Sequence, residues 1–525
     1  MSPGYVLALD EGSSSARAIL VGRDGEIVSE ASAAIAALFP HPGWVELDPE
    51  TLWQAAKDSM RRAMAKVGAT ALDILAVGVT THRESCLIWD RATGVPVYNA
   101  IMWMSKQTDD IVNQWAHAGM NDEIRSLTGV RNDSYFSAGK LAWILENVPG
   151  VRADAEAGKL AAGTVDTWLL WKLTAGRSHL TDPSSASRTA MFDIRTGTWH
   201  QGLCESYGIP LALLPEVRPS NSHFGFVDAS VFERGSEASV PIMAILADQQ
   251  AGLYGQACLS PGMAKNTYGT AGVLVANVGT QPLILPGMSS SVAWQIDNET
   301  TYEVEGVVFH SGQTLQWLRD KLRVIGSVAD TEAMAQSVAN TGGVYFVPAF
   351  AGLCDPYWDR DVRASIMGLT LETDLEHLVR ASLEAMAYQT RDNVDALALG
   401  GITIPALRVD GGAISNNFLC QFQADILGVP VHRPHGLERT ALGVARLAGL
   451  GVGLWNGTSD LTASWQIERV FEPQMSTTER EDLYGGWQEA VAAARSLPPR
   501  RVSRSTSNTS STPTTPSTPI LAAQR

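Results

Sequence analysis

The stretch Tyr5-Val-Leu-Ala-Leu-Asp-Glu-Gly-Ser-Ser-Ser-Ala-Arg-Ala-Ile-Leu-Val21 joins two short apolar runs through a polar turn. Tyr5–Leu9 and Ala16–Val21 have the length and composition of β-strands, and Asp24-Gly25 supplies a second hairpin signal. The chain is therefore predicted to open with a β-meander. A Walker phosphate loop would instead run from a strand into a helix and carry Gly-Lys-Ser/Thr, which this stretch lacks.

The polar residues of this turn have the chemistry of a phosphate-and-metal loop. Asp10 can hold hydrated Mg²⁺, while backbone N–H groups and the hydroxyls of Ser13, Ser14 and Ser15 can face phosphate oxygens. The alternative is a polar hairpin with no ligand, because Gly and Ser are ordinary turn residues.

Two later glycine elements favour the functional interpretation. The stretch 263–276 again sets hydroxyls and glycines at a turn between strand-like runs, with Thr267, Gly269 and Thr270, and indicates a duplicated nucleotide clamp. The stretch 407–417 has a short apolar strand, a glycine pair and then a helical run. A strand-to-helix turn of this kind suits a nucleoside or a phosphate.

Length and composition restrict the class of protein. A chain of 525 residues is too long for one core and predicts two α/β domains of roughly 250 residues each. A net charge of −16 argues against nucleic acid or an anionic membrane as the main partner. The five cysteines are scattered, which favours reduced buried thiols over disulfides or zinc ligands. No leader pattern and no apolar run of about 20 residues are found, so a cytoplasmic protein without membrane insertion is expected.

The organisation along the chain predicts an N-terminal domain over residues 1–255 and a C-terminal domain over residues 256–495. Thr373-Asp-Leu-Glu376 is interpreted as a capping box that starts a long helix packed on a sheet. The Ser/Thr/Pro-rich residues 496–525 are predicted to be a disordered tail, because this composition cannot bury enough apolar surface.

Asp248 is the best candidate for a catalytic base. It follows the apolar run Pro241–Leu246 and is expected at the carboxyl end of a strand, where open α/β sheets gather their ligands. The alternative is a helix N-cap, since Asp before Gln-Gln-Ala-Gly can cap a helix.

The order of these elements resembles the FGGY carbohydrate kinase family, and within it the glycerol kinases, from about Tyr5 to about Trp487. The stretches that carry the resemblance are 9–14, 42–48, 82–85, 98–103, 135–137, 163–168, 186–189, 248–250, 265–270, 347–350, 356–359 and 409–412. The resemblance implies a two-domain actin-like, ribonuclease H-like ATPase fold with a catalytic cleft between the domains. It also implies ATP and Mg²⁺ as cofactors, a small-molecule polyol as partner and a homo-oligomer, either dimer or tetramer.

Site residues follow from the resemblance, position by position. Asp248 matches the catalytic base and Asp10 the metal residue. The substrate-binding positions are Arg83, Glu84, Trp103, Tyr135, Asp248 and Gln249. The nucleotide-binding positions are Ser13, Ser14, Ser15, Arg17, Thr270, Gly312, Gln316, Gly412 and Asn416. Without the resemblance, Arg83-Glu84 would be interpreted as a surface ion pair, and the two aromatic residues as packing residues.

The chain departs from the family pattern at several positions. Glu11 stands in place of Gln, Thr81-His82 in place of Asn-Gln, and the stretch 103–108 has Ser105 and Lys106 where the family has Asp or Cys and arginines. Val273 stands where glycerol kinases place an aromatic side chain against the substrate's carbon chain, and Leu353-Cys-Asp355 replaces a Gly-Ala pair.

The predicted function is ATP-dependent phosphorylation of glycerol to sn-glycerol 3-phosphate. The alternatives are a kinase for a four- or five-carbon polyol or ketose of the erythritol, threitol or xylulose type, a catalytically silent sugar sensor, and an actin-like ATPase. Some bacterial glycerol kinases are inhibited by fructose 1,6-bisphosphate through a loop that matches residues 233–239 here. Glu237 would repel a bisphosphate, so no such inhibition is expected.

Overall fold

The structure is a computed structural model that describes residues 4–232, 239–436, 438–455 and 457–497. The predicted tail beyond residue 497 and the loop residues 233–238 lie outside the described residues. We refer to residues 4–255 as the N-terminal half and to residues 256–497 as the C-terminal half.

The elements of the N-terminal half, in chain order, are β1 Tyr5–Glu11, β2 Ser15–Val21, β3 Ile27–Ala34, β4 Glu46–Leu47, α1 Pro49–Lys66, β5 Ile74–Thr81, β6 Cys86–Asp90, β7 Ala100–Ile101, α2 Asp109–His117, α3 Asn121–Thr128, α4 Ser137–Asn147, α5 Val151–Glu156, β8 Leu160–Thr164, α6 Val165–Leu173, β9 Leu180–Thr181, α7 Pro183–Ala186, β10 Phe192–Asp193, β11 Thr198–Trp199, α8 Gln201–Ser206, β12 Glu216–Val217, β13 Gly225–Phe226, α9 Ala229–Phe232, β14 Pro241–Ala247 and α10 Asp248–Gly255.

The elements of the C-terminal half are β15 Ala264–Tyr268, β16 Gly272–Gly279, β17 Ser289–Ile296, β18 Glu299–Val308, α11 Gly312–Trp317, α12 Thr331–Ser337, β19 Tyr345–Val347, β20 Ser365–Met367, α13 Leu375–Leu399, β21 Leu407–Asp410, α14 Asn417–Leu427, β22 Val431–Pro434, α15 Arg439–Gly451, α16 Thr458–Ser464, β23 Ile467–Phe471 and α17 Thr477–Ser496.

Two large mixed sheets follow the same plan. In the first, with strand order β13-β14-β5-β1-β2-β3, the antiparallel meander β1-β2-β3 continues through β1 into the parallel strands β5 and β14. In the second, with order β17-β18-β16-β15-β21-β22-β23, the antiparallel strands β18, β16 and β15 continue through β15 into the parallel strands β21 and β22, and β17 is added at the edge beside β18. The predicted opening meander and the predicted strand–turn–strand within residues 263–276, here β15 and β16, are confirmed.

A buried core joins the two sheets. The odd-numbered apolar residues of β1 face α1, whereas Val6 and Ala8 face a cluster that also contains residues of α10, β16 and α15. The helices α10 and α15 approach each other closely at Gly255 and Gly443, where a Cβ atom on either residue would meet backbone of the other helix. Although α15 belongs to the C-terminal half by sequence, it packs on β1, β5 and β14 of the first sheet.

The long helix α13 packs against β16, β18 and β19, as the sequence predicts, but its capping box is shifted by one residue. Asp374 is the N-cap, and His377 Nδ1 accepts a hydrogen bond from the backbone N–H of Asp374 at 3.1 Å. The Thr373 hydroxyl does not cap the helix and instead accepts from the backbone N–H of Thr370 at 2.9 Å. The expected pair of Thr373 and Glu376 was therefore wrong by one position.

The five cysteines are all buried and free, which confirms the prediction of reduced thiols. None of the helices in the described ranges is both long enough and apolar enough to cross a bilayer.

The last helix, α17, is attached to α13 by a buried carboxylate. Asp392 accepts hydrogen bonds from the Tyr484 hydroxyl at 2.7 Å and from Trp487 Nε1 at 3.0 Å. The ring of Trp487 stacks on Tyr388 with centroids 5.4 Å apart. Burial raises the pKa of Asp392 to about 6.

Replacing Asp392 by Ala should destabilise the protein by about 2–6 kcal/mol, because two buried donors lose their acceptor and each costs roughly 1–3 kcal/mol. The midpoint of urea unfolding is the measurement. Asp482→Ala, at an exposed position of the same helix, serves as the control and should shift the midpoint little. Equal shifts in the two variants would contradict this account of how α17 is held.

Candidate active site

Three neighbouring strands of the first sheet end in polar residues at the same edge. β1 ends at Asp10 and Glu11, β5 is followed by Arg83 and Glu84, and β14 is followed by Asp248. In the register of the sheet, Glu11 and Ala247 both pair with Thr81, so the three chain segments leave the sheet side by side. The sheet thereby collects one arginine and several carboxylates at a single point.

A buried charge network extends from this edge to the second sheet. Arg83 lies 2.6 Å from Glu305 through Nη1 and 3.3 Å from Asp248 through Nε. Arg188 donates to Glu84 at 2.7 Å and to Glu305 at 2.8 Å. Arginine and glutamate side chains are thus held in fixed geometry by charge-assisted hydrogen bonds. The alternative of a surface ion pair for Arg83-Glu84 is wrong, because both side chains are buried.

Asp248 differs from the other members of the network in its exposure. Its side chain is 26% exposed, whereas those of Arg83, Glu84, Arg188 and Glu305 are 4% exposed or less. Its Oδ1 accepts from the backbone N–H of Gln249 at 2.7 Å. Ala247 is the N-cap of α10, so Asp248 is the first helical residue and not the cap. The exposed carboxylate is therefore the member of the network that a ligand in the cleft can reach.

Strand β18 brings Glu303 and Glu305 to one face, and their pKa values are shifted in opposite directions. Burial alone would raise the pKa of Glu305, but the charges of Arg188 and Arg83 lower it below its usual value. Burial and the neighbouring charge of Glu305 raise the pKa of Glu303. Arg83 and Arg188 form ion pairs with Glu84, Glu305 and Asp248, and among the described residues neither forms one with Glu303, so the environment favours the neutral form of Glu303.

Glu84 adopts an uncommon backbone conformation, with φ of 62°. A left-handed non-glycine residue costs energy and persists only where the surroundings hold it. Here the Ser137 hydroxyl donates to the backbone carbonyl of Glu84 at 2.9 Å, and Arg188 holds its carboxylate. The side chain of Glu84 is therefore fixed from both ends.

Two aromatic residues stand beside the network. The rings of Trp103 and Tyr135 meet edge to face with centroids 5.6 Å apart, and Trp103 Nε1 donates to the Ser13 hydroxyl at 2.9 Å. The Nζ of buried Lys140 donates to the backbone carbonyls of Ser134, Tyr135 and Phe136 at 2.6–2.9 Å. The Lys140 ammonium group therefore fixes the backbone of the loop that carries Tyr135.

The first glycine turn forms the side of the site where Asp10 lies. Burial and the charges of Asp248 and Glu438 raise the pKa of Asp10 to about 7. Arg17 forms an ion pair with Glu438. Among the described residues, no cation forms an ion pair with Asp10 itself. This corner of the site has an excess of negative charge.

The second glycine turn and the start of α11 lie together. The backbone N–H of Gly312 donates to the carbonyl of Gly269 at 3.0 Å, and the N–H groups of Ser311 and Gln313 donate to the carbonyl of Thr270. A side chain on Gly312 would collide with the backbone of Gly269. Thr270 and Gly312 are therefore brought into contact, while Gln316 is exposed on the same helix.

The third glycine element has the predicted strand-to-helix form. Gly411 has φ of 92°, and a side chain there would collide with Tyr268, whereas the position of a Cβ on Gly412 is open space. Asn416 is the N-cap of α14 and accepts from the backbone N–H of Leu419 at 3.0 Å, while its amide donates to Thr331. The side chain of Asn416 thus has a structural role in this state.

The contacts and burial of Ser105, Asp355 and Glu11 show how the structure accommodates several departures from the family pattern. Ser105 accepts from the backbone N–H of Val45 and donates to Gln107, so it supports the loop behind Trp103. Asp355 forms a buried ion pair with Arg131. Glu11 is fully buried, and within the described ranges its carboxylate oxygens lack hydrogen-bond partners. Burial and Asp10 raise the pKa of Glu11 well above its usual value.

Sequence reasoning missed Arg188, Glu305 and Lys265. Lys265 is buried and donates to Gln249 Oε1 and, at 2.7 Å, to the Thr267 hydroxyl. A signal existed for Glu305, because Glu303-Val-Glu305 sets two acidic residues on one face of an otherwise apolar strand. A charged residue on a strand face that is otherwise apolar indicates a buried partner of opposite charge.

Two family models match the chain. The N-terminal domain model of the FGGY family of carbohydrate kinases matches residues 5–255, and the C-terminal domain model of the same family matches residues 264–452.

Individual relatives agree with the family match. A glycerol kinase of Carboxydothermus hydrogenoformans is 49% identical over 94% of this chain and 99% of its own length, and glycerol kinase 2 of Thermotoga maritima is 48% identical over 94% and 99%. A crystal structure of Plasmodium falciparum glycerol kinase with ADP is 32% identical, with a TM-score of 0.88 over 94% of this chain and 98% of that one. The chain therefore belongs to the FGGY family of carbohydrate kinases.

Proposed function

We propose that this protein transfers the γ-phosphoryl group of ATP to a terminal hydroxyl of glycerol and forms sn-glycerol 3-phosphate. Relatives named glycerol kinase share nearly half of its residues over almost the full length, which supports this assignment. The structural observation that carries the proposal is the position of Asp248, a partly exposed carboxylate on a buried Arg-Glu network.

In this proposal Asp248 accepts the proton of the attacking hydroxyl, since a kinase needs a carboxylate that orients or deprotonates its nucleophile. Arg83 can donate to a polyol hydroxyl, and Glu84 can accept from one. Trp103 and Tyr135 would contact the carbon chain of the polyol, and Gln249 would contact it beside Asp248. Because Arg188 and Glu305 fix the two charged groups, their geometry is set before the polyol arrives.

The nucleotide would lie between the glycine elements of the two sheets. Backbone N–H groups and the hydroxyls of Ser13, Ser14 and Ser15 suit phosphate oxygens, and Arg17 would exchange Glu438 for a phosphate. Thr270, Gly312, Gln316, Gly412 and Asn416 would contact the nucleotide from the C-terminal half. The open space over Gly412 supports a close approach of the ligand to the backbone there.

Magnesium fits the corner beside Asp10. No group of three potential ligand residues surrounds a point within the described residues, so a metal cage made wholly of protein is not formed there. Mg²⁺ commonly uses one or two carboxylates, several waters and substrate phosphates. When bound with ATP, Mg²⁺ would neutralise phosphate charge and offset the negative charge near Asp10, whose pKa is raised by burial and by the carboxylates of Asp248 and Glu438.

Further parts of the proposal follow from the family. We infer a division into domains near Gly255, a cytoplasmic location and a homo-oligomeric state.

A kinase for a four- or five-carbon polyol or ketose is the second candidate, and Val273 is the observation that favours it. A silent sugar sensor and an actin-like ATPase are the remaining alternatives.

One experiment separates these functions. ADP release is measured with MgATP alone and with a panel of glycerol, erythritol, threitol, xylitol and xylulose. Release that depends on glycerol supports the proposal, release with only a longer substrate supports the second candidate, and release that no polyol stimulates indicates an ATPase. No release in the presence of polyol binding indicates a sensor.

Asp248→Asn should lower kcat by about 10²–10⁴-fold, the usual contribution of a positioned acid–base group, while binding of MgATP and glycerol stays nearly unchanged. The substitution keeps the size of the side chain and removes its basicity. Steady-state kinetics and calorimetry are the measurements. Turnover within about tenfold of wild type would remove Asp248 from the role of base.

Asp10→Asn should increase the Mg²⁺ concentration needed for half-maximal activity by about tenfold or more, because the metal loses a charged ligand. Activity is titrated with Mg²⁺ at constant ATP. Asp24→Asn, at an exposed turn of the same meander, is the matched control. Identical Mg²⁺ curves for Asp10→Asn and wild type would show that the metal is held elsewhere.

Val273→Phe should increase the selectivity of the enzyme for glycerol over four-carbon polyols. Val273 is 8% exposed and belongs to an apolar cluster with Val307 and Cys354. Beside the small Val273 side chain, a polyol that has one hydroxymethyl group more than glycerol is rejected only weakly, since apolar pockets discriminate such a difference by about 1–3 kcal/mol. We expect measurable wild-type activity on erythritol or threitol. An unchanged ratio of kcat/KM for glycerol and tetritols in the variant would refute this role of Val273.

A further inference from the structure

A second contact between the two halves lies beside the charge network. The loop between α3 and α4 meets the segment 353–363 of the C-terminal half. Arg131 Nη2 lies 3.2 Å from Asp355 Oδ1, and its guanidinium lies over the ring of Trp358, 3.9 Å from the centroid. Asp355 is 4% exposed and its other oxygen accepts from the backbone N–H of Val307 at 2.9 Å. The segment 353–363 is therefore held to both halves.

Asp133 lies at the centre of this contact. Its Oδ2 accepts from Trp358 Nε1 at 3.2 Å, and its Oδ1 accepts from Arg360. The Asp133 side chain is 7% exposed, and Arg360 also approaches Asp109 at 3.6 Å. A buried carboxylate needs donors to offset the loss of its hydration, and the C-terminal half supplies two of them.

The same carboxylate shapes the loop that carries Tyr135. Asp133 Oδ1 accepts from the backbone N–H of Tyr135 at 2.8 Å, and the Asp133 carbonyl accepts from Phe136 at 3.1 Å. Lys140 fixes the carbonyl groups of this loop, as described above. Asp133 is thus bonded both to the backbone of Tyr135 and to the other half of the molecule.

The conformation of Trp358 also depends on this contact. Its φ is 47°, which is rare for an aromatic residue and costs of order 1–3 kcal/mol. Such a conformation persists where the surrounding structure holds it. The hydrogen bond to Asp133 and the stacking of Arg131 are the contacts with the N-terminal half that hold the side chain of Trp358.

We propose that Asp133 is a positioning residue of the polyol site, and that it places Tyr135 correctly only when Trp358 and Arg360 are docked on it. The polyol pocket is then completed by the meeting of the two halves, so polyol binding and interdomain docking favour each other. This inference rests on the proposed function, because it takes Tyr135 as a contact of the polyol. Asp133 itself does not touch the substrate.

Trp358→Phe tests the proposal with a small change, since it removes the Nε1 donor and leaves an aromatic ring under Arg131. We expect the KM and the calorimetric Kd for glycerol to rise about threefold to tenfold, the range that the net loss of one hydrogen bond produces. The kcat and the KM for ATP should stay within about twofold. Arg360→Gln, at a side chain that is 32% exposed, tests the same contact without changing the buried ring.

Two comparisons make the test specific. Asp361→Asn removes an exposed carboxylate that lines the same cavity of about 520 Å³ as Asp133 and Trp358, and it should leave glycerol affinity unchanged. Asp133→Asn keeps an acceptor for Tyr135 and loses the charge. The double variant Asp133→Asn/Trp358→Phe should raise the Kd for glycerol no further than the more damaging single variant does. Both substitutions break the same hydrogen bond, from Trp358 Nε1 to Asp133.

Unchanged glycerol affinity together with a lower melting temperature in Trp358→Phe and Arg360→Gln would overturn the proposal, since the contact would then be only a structural brace. Additive effects in the double variant would overturn it as well. Wild-type turnover tests the proposed function, whereas the ratio of variant to wild-type glycerol affinity tests this inference. The two can therefore fail separately.

Discussion

The site depends on Glu305, a glutamate of the second sheet that forms ion pairs with Arg83 and Arg188 of the N-terminal half. Its carboxylate is fully buried and lies within 2.8 Å of Arg83 and Arg188. Charges at such depth are tolerated only when they are paired and hydrogen-bonded, so each half of the molecule requires the other. The interaction fixes Glu84 through Arg188 and Asp248 through Arg83. The polar groups that face the cleft are therefore oriented by residues that never reach it.

The two sheets contribute differently although their topology is the same. The parallel strands β1, β5 and β14 of the first sheet end at or lead into charged residues, whereas β15 and β21 of the second lead into glycine turns, with open space over Gly412. Charged groups suit recognition of hydroxyls and proton transfer, whereas backbone N–H groups suit phosphates. One duplicated strand plan thus gives a cleft with two chemically distinct walls, as phosphoryl transfer between unlike substrates requires.

Much of this arrangement could be predicted from sequence. Hairpin signals and apolar runs located the opening meander and the β15-β16 hairpin, and the apolar strands before Arg83 and Asp248 located the sheet edge, because both patterns are local. Arg188 and Glu305 were missed because they pair with residues more than 100 positions away, and Lys265 was missed because its contact with Gln249 depends on how α10 packs against β15. The capping box at Asp374 was misplaced by one residue because Thr373 is engaged by Thr370, a competition between local hydrogen bonds that composition does not reveal.

The packing of α15 on the first sheet has a consequence during synthesis on the ribosome. The last strand of that sheet, β14, ends at Ala247, whereas α15 ends at Gly451. About 200 residues must be added before this helix can cover the apolar face formed by Val6, Ala8 and their neighbours, which takes roughly 10–40 s at typical elongation rates. Throughout that interval this apolar face lacks the helix that covers it in the folded protein, and exposed apolar surface of this kind makes a partly folded chain prone to aggregation.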